Sequence, residues 1–400
     1  MKVLRMISSL DPQKGGPGQG IRNIIPELEI LGVINEVVCL DSEEANFVTK
    51  SSFPVHTLGR AKNAWHYHPE LIHWLVNHLS LFDVVIVHGL WLYHSYAVFK
   101  ALKILQEQGK QIPKMYIMPH GMLDPWFQRD STRRIKAIRN EIYWAFIERN
   151  VINSADGLLF TCQTELELAR TTFWGYQPRK EINVGYGITA PPPFSDSQKT
   201  AFFNIVPQLK NNPYLLFLSR IHPKKGIDLM LKAYKQILAN ELQRDLPHIV
   251  VAGPGIESEY GKYIKTLVDT DNNLQKKVHF VGMLSGDAKW GAFYGSEAFI
   301  LPSHQENFGI AVVEAMACKK PVLISNQVNI WKEIEDGQGG IIAPDTEDGV
   351  KQQLMVWLSL SDDKKATMGQ NAYLTYKKHF SVEEAAKKLA SVLLATAKFE

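Results

Sequence analysis

The stretch that decides the fold is AFILPSHQENFGIAVVEAMA, residues 298–317. Its first four residues are apolar on both faces, as in a strand buried within a parallel sheet. Pro302 ends that run, a polar loop follows, and from Ile310 to Cys318 the apolar residues repeat at helical spacing. Strand, loop and helix in so short a span make one half of a βαβ crossover. The loop carries Glu306 and the helix carries Glu314, eight positions on. A carboxylate one turn inside such a helix suits a pair of vicinal hydroxyls. The N–H groups of Asn307, Phe308, Gly309 and Ile310 suit phosphate or sugar oxygens at the helix start. Glu314 sits among Val312, Val313, Ala315 and Met316, which predicts a buried partner rather than a solvated charge.

The β-then-α alternation extends in both directions. Short β-branched runs occur at 3–7, 36–40, 83–87, 114–118, 157–161 and 181–184, then at 214–218, 248–251, 278–281, 298–301, 321–324 and 340–342. Helical patterns lie between them, which predicts parallel sheets with right-handed crossovers. A chain of 400 residues exceeds the ~250–300 at which one core stops growing. Pro191-Pro192-Pro193 interrupts the pattern and reads as a linker. The expected architecture is α/β: a first Rossmann-like domain over 1–190, a second over 191–375, both facing one cleft, and a helical segment over 376–400.

Composition narrows the function. The hydrophobic fraction is 45% and the charged fraction 21%, ordinary for a globular enzyme. A net charge of +3 lacks the basic bias of a nucleic-acid binder. The three cysteines, Cys39, Cys162 and Cys318, are scattered and form no CxxC, which fits a reducing cytoplasm. The N-terminus has no long apolar stretch before Asp11 and reads as no signal peptide. No run of about 18 apolar residues suggests a membrane span.

Further motifs fall at strand ends. Gly15, Gly16, Gly18 and Gly20 follow the first strand and allow close backbone approach to a phosphate or sugar. The turn matches neither GxGxxG nor GxxxxGK[ST], so a nucleoside-triphosphatase loop is absent. Arg220 follows the strand at 214–218 and Lys225 precedes the next helix, at the sheet edge where open α/β sheets bind ligands. Two cations there suit a diphosphate. An arginine ending so apolar a strand would be costly without a partner. Gly253-Pro254-Gly255 makes a tight turn, but Ser258 replaces the third glycine of a dinucleotide fingerprint. His120 ends the strand at 114–118 and can hydrogen-bond a sugar or phosphate. His88, Trp91 and Tyr93 fit part of an acceptor pocket. Seven of thirteen histidines lie between His56 and His94 without metal-ligand spacing, and read as scattered polar residues. Asp269-Thr270-Asp271 resembles a metal-binding DxD but falls where a helix ends, so it reads as a turn. The segment from Arg129 to Phe146 holds Arg129, Arg133, Arg134, Lys136 and Arg139 among aromatics. It suits an anionic membrane surface or a phosphate-bearing acceptor, or is a plain solvated face.

Taken in order, Glu306 with Glu314, Ser219-Arg220 with Lys224-Lys225-Gly226, Gly253-Pro254-Gly255 and the Gly15-Gly16 turn resemble a retaining glycosyltransferase of family 4, with the GT-B fold. The resemblance covers essentially the whole chain and extends more weakly to bacterial and cyanobacterial envelope-polysaccharide transferases. It implies a nucleotide-sugar donor on the second domain, UDP-glucose before a GDP-sugar, and no cofactor or metal. It implies a glycan or lipid-linked oligosaccharide acceptor on the first domain. The last helices would cross back to the first domain. Location would be cytoplasmic, or peripheral at the inner face of the plasma membrane. Carried to this sequence, it implies that Glu314 binds ribose, Glu306 the sugar, and Arg220 and Lys225 the diphosphate. Asn307, Phe308, Gly309 and Ile310 would meet hydroxyls and phosphates. Gly15 and Gly16 would meet the diphosphate, and His120 the sugar. Gly253, Met283 and Leu284 would lie near the nucleotide. The first loop departs from the family's Gly-Gly-hydrophobe by reading Gly-Gly-Pro-Gly. Competing classes are a sugar-nucleotide epimerase or hydrolase, a nicotinamide dehydrogenase, and a non-catalytic nucleotide-sugar-binding scaffold.

Overall fold

The computed structural model describes residues 1–240 and 246–396; residues 397–400 of the expected tail lie outside the described residues. The chain divides into two compact units. One is Met1–Gly187 with the helix Val382–Thr396, and the other is Ile188–Ser381. The passages fall at 187/188 and 381/382, rather than at 190/191 and 375/376, because Ile188 is tied into the second unit. It pairs with Ser381, its N–H donates to the Phe380 carbonyl at 3.0 Å, and its carbonyl accepts from the Tyr376 hydroxyl at 3.4 Å.

The first unit is a parallel sheet in the order β3-β2-β1-β4-β5-β6-β7. Its strands are β1 (Lys2–Ile7), β2 (Ile34–Cys39), β3 (Val55–Thr57), β4 (Val84–His88), β5 (Lys114–Met118), β6 (Gly157–Phe160) and β7 (Glu181–Asn183). The edge strand β3 has no counterpart among the expected runs; it is three residues long and only half-buried. Every residue of β4 is buried, which only a strand covered on both faces can satisfy. One cover is the helix Val382–Thr396. Its Ala386, Leu389, Ala390 and Leu393 recur at helical spacing and share a core with Val3, Val84 and Leu159. Each buried leucine there contributes about 1.5–3 kcal/mol.

The second unit is a parallel sheet in the order β10-β9-β8-β11-β12-β13. Its strands are β8 (Tyr214–Leu218), β9 (His248–Ala252), β10 (Val278–Gly282), β11 (Ala298–Leu301), β12 (Val322–Ser325) and β13 (Gly340–Ala343). Both units are therefore Rossmann-like. Their strand orders reverse between β1 and β4 and between β8 and β11. Loops leaving adjacent strands there diverge to opposite faces and open a crevice at the carboxyl ends.

Candidate functional site

In the second unit the loops after β8 and β11 meet beside that crevice. Gly226 makes the meeting possible. It holds φ +65°, and a Cβ there would overlap the Pro302 carbonyl oxygen. The loops are then laced by the His304 N–H on the Lys224 carbonyl at 2.8 Å and the Ser303 hydroxyl on the same oxygen at 3.1 Å. This brings Lys225, a buried cation, onto the carboxylate of Glu306 as an ion pair and hydrogen bond. The Glu306 backbone is pinned in turn: its N–H donates to Gln327 and its carbonyl accepts from Asn329. The two residues expected to serve diphosphate and sugar separately are one pair.

Gly309 caps the helix Ile310–Ala317 in the left-handed region, at φ +74°, without a side-chain cap. The N–H groups of Ile310 and Ala311 have no carbonyl within their own helix, as in any first turn. Phe308 is 5% exposed and its ring packs edge-on against Phe380 at 5.7 Å. Only its backbone is left to meet a ligand. Asn307 accepts from the Asn329 side chain at 3.4 Å.

Glu314 has the partner its apolar surroundings predict. Lys289, from the helix Gly286–Gly295, reaches its Oε1 at 2.6 Å. Burial lifts the Glu314 pKa above the usual carboxylate range, and Lys289 draws it back. Arg220 differs from its expectation: it is exposed, so no burial penalty demands a partner. It is fixed through its backbone neighbours. Ser219 N–H donates to Ala252 and Ile221 N–H to Pro254, at 3.0 and 2.8 Å. Gly253, at φ +138°, makes that approach possible, because a Cβ would overlap the Ser219 carbonyl. Met283 is 77% exposed and Leu284 is 7% exposed, so only one of the two is free to flank a base. Asp271 caps the helix Asn272–Lys277 and pairs with Lys235 at 3.1 Å, which makes the DxD a helix-end turn.

In the first unit the Gly15-Gly16 turn opens the helix Gly16–Ile30, with Gly15 at φ +118°. The Gly16 carbonyl accepts from the Tyr186 hydroxyl at 2.9 Å, and Gly20 lies so close to the Tyr186 ring that a Cβ would overlap it. Gly20 is thus needed for packing. His120 follows β5 at φ +53°, in a turn held by the Gly121 N–H on the Glu165 carboxylate at 2.5 Å. His120 Nε2 lies 3.0 Å from His88 Nδ1, and His88 Nε2 lies 3.2 Å from Arg5 Nη1. Burial, with Arg5 beside it, holds the His120 pKa down to about 3. His88 and His94 are 4% and 1% exposed, so these two are core residues rather than scattered surface polarity.

A cavity of about 390 Å³ lies past the ends of β1, β2 and β3, lined by Asp11, Asp41, Ser42, Arg60, Asn63 and His66. Behind Trp91, Glu148 is fully buried on a π-helical turn, Trp144–Glu148, and burial raises its pKa to about 8. Arg5, Glu148, Glu165 and Lys289 escaped the sequence reading. A charge inside an apolar strand run was the available signal for Arg5; the others are set by contacts between distant segments.

Residues 15–187 match a family model described as a glycosyl transferase 4-like domain, and residues 198–375 match one described as glycosyl transferases group 1. A D-inositol 3-phosphate glycosyltransferase 2 of Catenulispora acidiphila is 27% identical over 229 residues, 56% of this chain and 53% of the relative. An O-antigen chain mannosyltransferase B of Escherichia coli is 27% identical over 177 residues, 44% of each chain. The chain thus spans about half the length of the curated relatives it matches. In fold it is similar to Anabaena HepE, solved in complex with UDP and glucose. The TM-score is 0.72 at 18% identity, over 99% of this chain and 100% of the other. The first unit is thus a glycosyl transferase 4-like domain and the second a glycosyl transferases group 1 domain, on a fold shared with HepE.

Proposed function

We propose that this chain moves a hexose from a nucleoside-diphosphate donor to a hydroxylated acceptor with retention of anomeric configuration, as a family 4 enzyme. The observation that carries the reading is the convergence of Lys225, Glu306 and the Gly309 helix start beside the β8/β11 reversal. Cations and a helix N-terminus suit a pyrophosphate, and carboxylates suit hydroxyls. In this reading Arg220 and Lys225 neutralise the departing diphosphate, Glu306 and the backbone of 307–310 hold the sugar, and Glu314 accepts the ribose hydroxyls. Gly253 and the exposed Met283 border the nucleotide. On the first unit, His120 is a hydrogen-bond donor for a sugar and the Gly15-Gly16 turn suits a phosphate. A UDP-sugar, UDP-glucose first, is supported by the HepE complex with UDP and glucose; a GDP-sugar is the second choice.

The chemistry follows from these roles. The anomeric C–O bond breaks and its electron pair leaves with the diphosphate. The acceptor oxygen bonds to the same face of the sugar, and its proton passes to a leaving phosphate oxygen. Preorganised positive charge on the leaving group is the main contribution. The reading needs no metal ion, because Arg220 and Lys225 supply that charge.

The acceptor side rests on the 390 Å³ cavity of the first unit, whose carboxylates, amide and hydroxyl suit a polyhydroxylated group. A glycan on a lipid carrier is supported by an exposed stripe. Ile135, Ile138, Ile142 and Phe146 are 86%, 62%, 57% and 77% exposed, and Arg134, Lys136 and Arg139 flank them. Such a stripe with a cationic rim suits an anionic bilayer surface. Among the described residues no helix is long and apolar enough to cross a membrane.

The test is a screen of UDP- and GDP-sugars with glycan and lipid-linked acceptors, read by mass spectrometry, with and without EDTA. Nucleoside diphosphate should appear in step with glycosylated acceptor, with an unchanged anomeric configuration and no loss in EDTA. Free sugar without product would favour a hydrolase, an altered sugar nucleotide an epimerase, and tight donor binding without turnover a scaffold.

A further inference from the structure

Arg5 stands in the middle of an otherwise apolar strand. Its neighbours Val3, Leu4, Met6 and Ile7 are buried, and Arg5 itself is 1% exposed. Its Nε donates to Asn35 Oδ1 at 2.8 Å, its Nη1 meets His88 Nε2 at 3.2 Å, and its Nη2 finds no partner among the described residues. None of these partners is a carboxylate. Burial alone drives the Arg5 pKa down to about 10. A guanidinium without a counter-charge is strongly unfavourable inside a protein, and an aliphatic side chain would suit this strand better. A residue so poorly suited to packing calls for another role.

Donor chemistry supplies one. An arginine has N–H donors and no acceptor. The contact with His88 Nε2 therefore requires Nε2 to be the unprotonated, accepting nitrogen. Neutral His88 then carries its proton on Nδ1, which faces His120 Nε2 at 3.0 Å. That nitrogen must accept, so neutral His120 carries its own proton on Nδ1. Both rings remain neutral, since burial and the nearby Arg5 oppose a second proton on either. Register places the parts: Arg5 lies opposite Ile86, His88 lies opposite Met118, and His120 follows two residues later. The Gly121 N–H on Glu165 fixes the turn that carries His120.

We infer that Arg5 and His88 form a one-way hydrogen-bond relay that fixes His120 as its Nδ1–H tautomer, so that His120 meets the sugar as a neutral donor and not as a base. Arg5 and His88 are positioning residues that act through His120. The inference rests on His120 being a sugar contact, but its first half concerns the unliganded chain alone. His94 does not compete for the relay, because its Nε2 is engaged with the His88 carbonyl at 2.9 Å. Tyr186 approaches His120 edge-on, with ring centres 6.4 Å apart, and leaves the relay's two nitrogens to each other.

The experiment is long-range ¹⁵N–¹H NMR of the histidine-labelled full chain, with His120→Ala and His88→Leu used to assign the rings. His88 and His120 should each show a protonated Nδ1 and a bare Nε2 at neutral pH. Two variants then separate relay from packing. His88→Gln keeps an acceptor for Arg5 and a donor for His120, whereas His88→Leu keeps apolar bulk and loses both. Gln should preserve the His120 tautomer and most of the turnover. Leu should release the tautomer and lower kcat about 10²-fold, the scale of a misplaced catalytic contact. A protonated Nε2 on His120 in the unmodified chain, or equal behaviour of Gln and Leu, overturns the relay. The predicted spectrum in a chain that transfers no sugar from any donor upholds the relay and sinks the functional reading. Active transfer with the opposite tautomer sinks the relay alone.

Discussion

Replacing Glu314 with Gln isolates charge from shape. The two side chains have nearly the same volume, so the helix Ile310–Ala317 and the burial of its Val312, Val313 and Met316 remain as they are. What changes is the acceptor. A hydrogen bond to a charged group contributes about 1.5–3 kcal/mol, against about 0.5–1.5 for a neutral pair. Two ribose hydroxyls on one carboxylate should thus lose roughly 2–3 kcal/mol, or about 30- to 150-fold in affinity. Lys289 also loses its 2.6 Å partner, but its side chain is 23% exposed and water can take over. The assay is calorimetric titration with UDP and GDP, and a competition experiment with the bare nucleoside. Because the contact is to ribose alone, nucleoside and diphosphate should lose affinity by the same factor. A loss below about threefold, or one confined to the diphosphate, would refute the ribose assignment.

Three other outcomes follow from the same structure. Arg220→Ala should lower turnover by about 10²–10³ if it contacts the leaving diphosphate, while thermal stability stays put because the side chain is exposed; turnover within a few-fold of the parent would exclude that contact. The first unit should be most stable near pH 6.5. Folded His94 and His120 titrate near 4 and 3, whereas unfolded each binds a proton below about 6.5, so acid favours unfolding and His94 alone accounts for up to about 3 kcal/mol by pH 4. Glu148 has the opposite sign: folded it keeps its proton to about 8, and unfolded it releases it near 4.3, so stability declines as pH rises between those values. Hydrogen exchange of peptides spanning β4 reads this profile, and Glu148→Gln should flatten its alkaline side; a decline that survives the substitution would rule Glu148 out as its source. On vesicles, the chain should bind anionic and not neutral lipid, binding should weaken with salt, and Ile138→Asp with Phe146→Asp should abolish it. Equal binding to neutral vesicles, or a stripe found between two copies of the chain, would contradict the membrane reading.

Much of the frame was legible because parallel sheets write themselves plainly. The run YLLFL at β8 and the run VVIV at β4 are apolar on both faces, short and bounded by turn residues, which favours a buried strand over a helix. The edge strand β3 was not, since three half-buried residues carry no periodicity. Lys225 and Glu306 stood out individually as charges at strand ends. Their pairing did not, because it depends on Gly226 passing under the Pro302 carbonyl, a contact between segments some 76 positions apart. Lys289 and Glu314 are joined likewise across two helices. Arg5 shows the limit most clearly. Its place in an apolar strand was visible, but Asn35 and His88 reach it from β2 and β4, and only the sheet order makes those strands its neighbours.

The most direct measurement is hydrogen–deuterium exchange of the full chain with and without UDP. Slowed exchange should gather in two loops of the second unit, residues 219–226 and 303–311, beside the reversal of strand order. Protection elsewhere, with both of those loops unchanged, would contradict a nucleotide-sugar site built on Lys225, Glu306 and the helix start at Gly309.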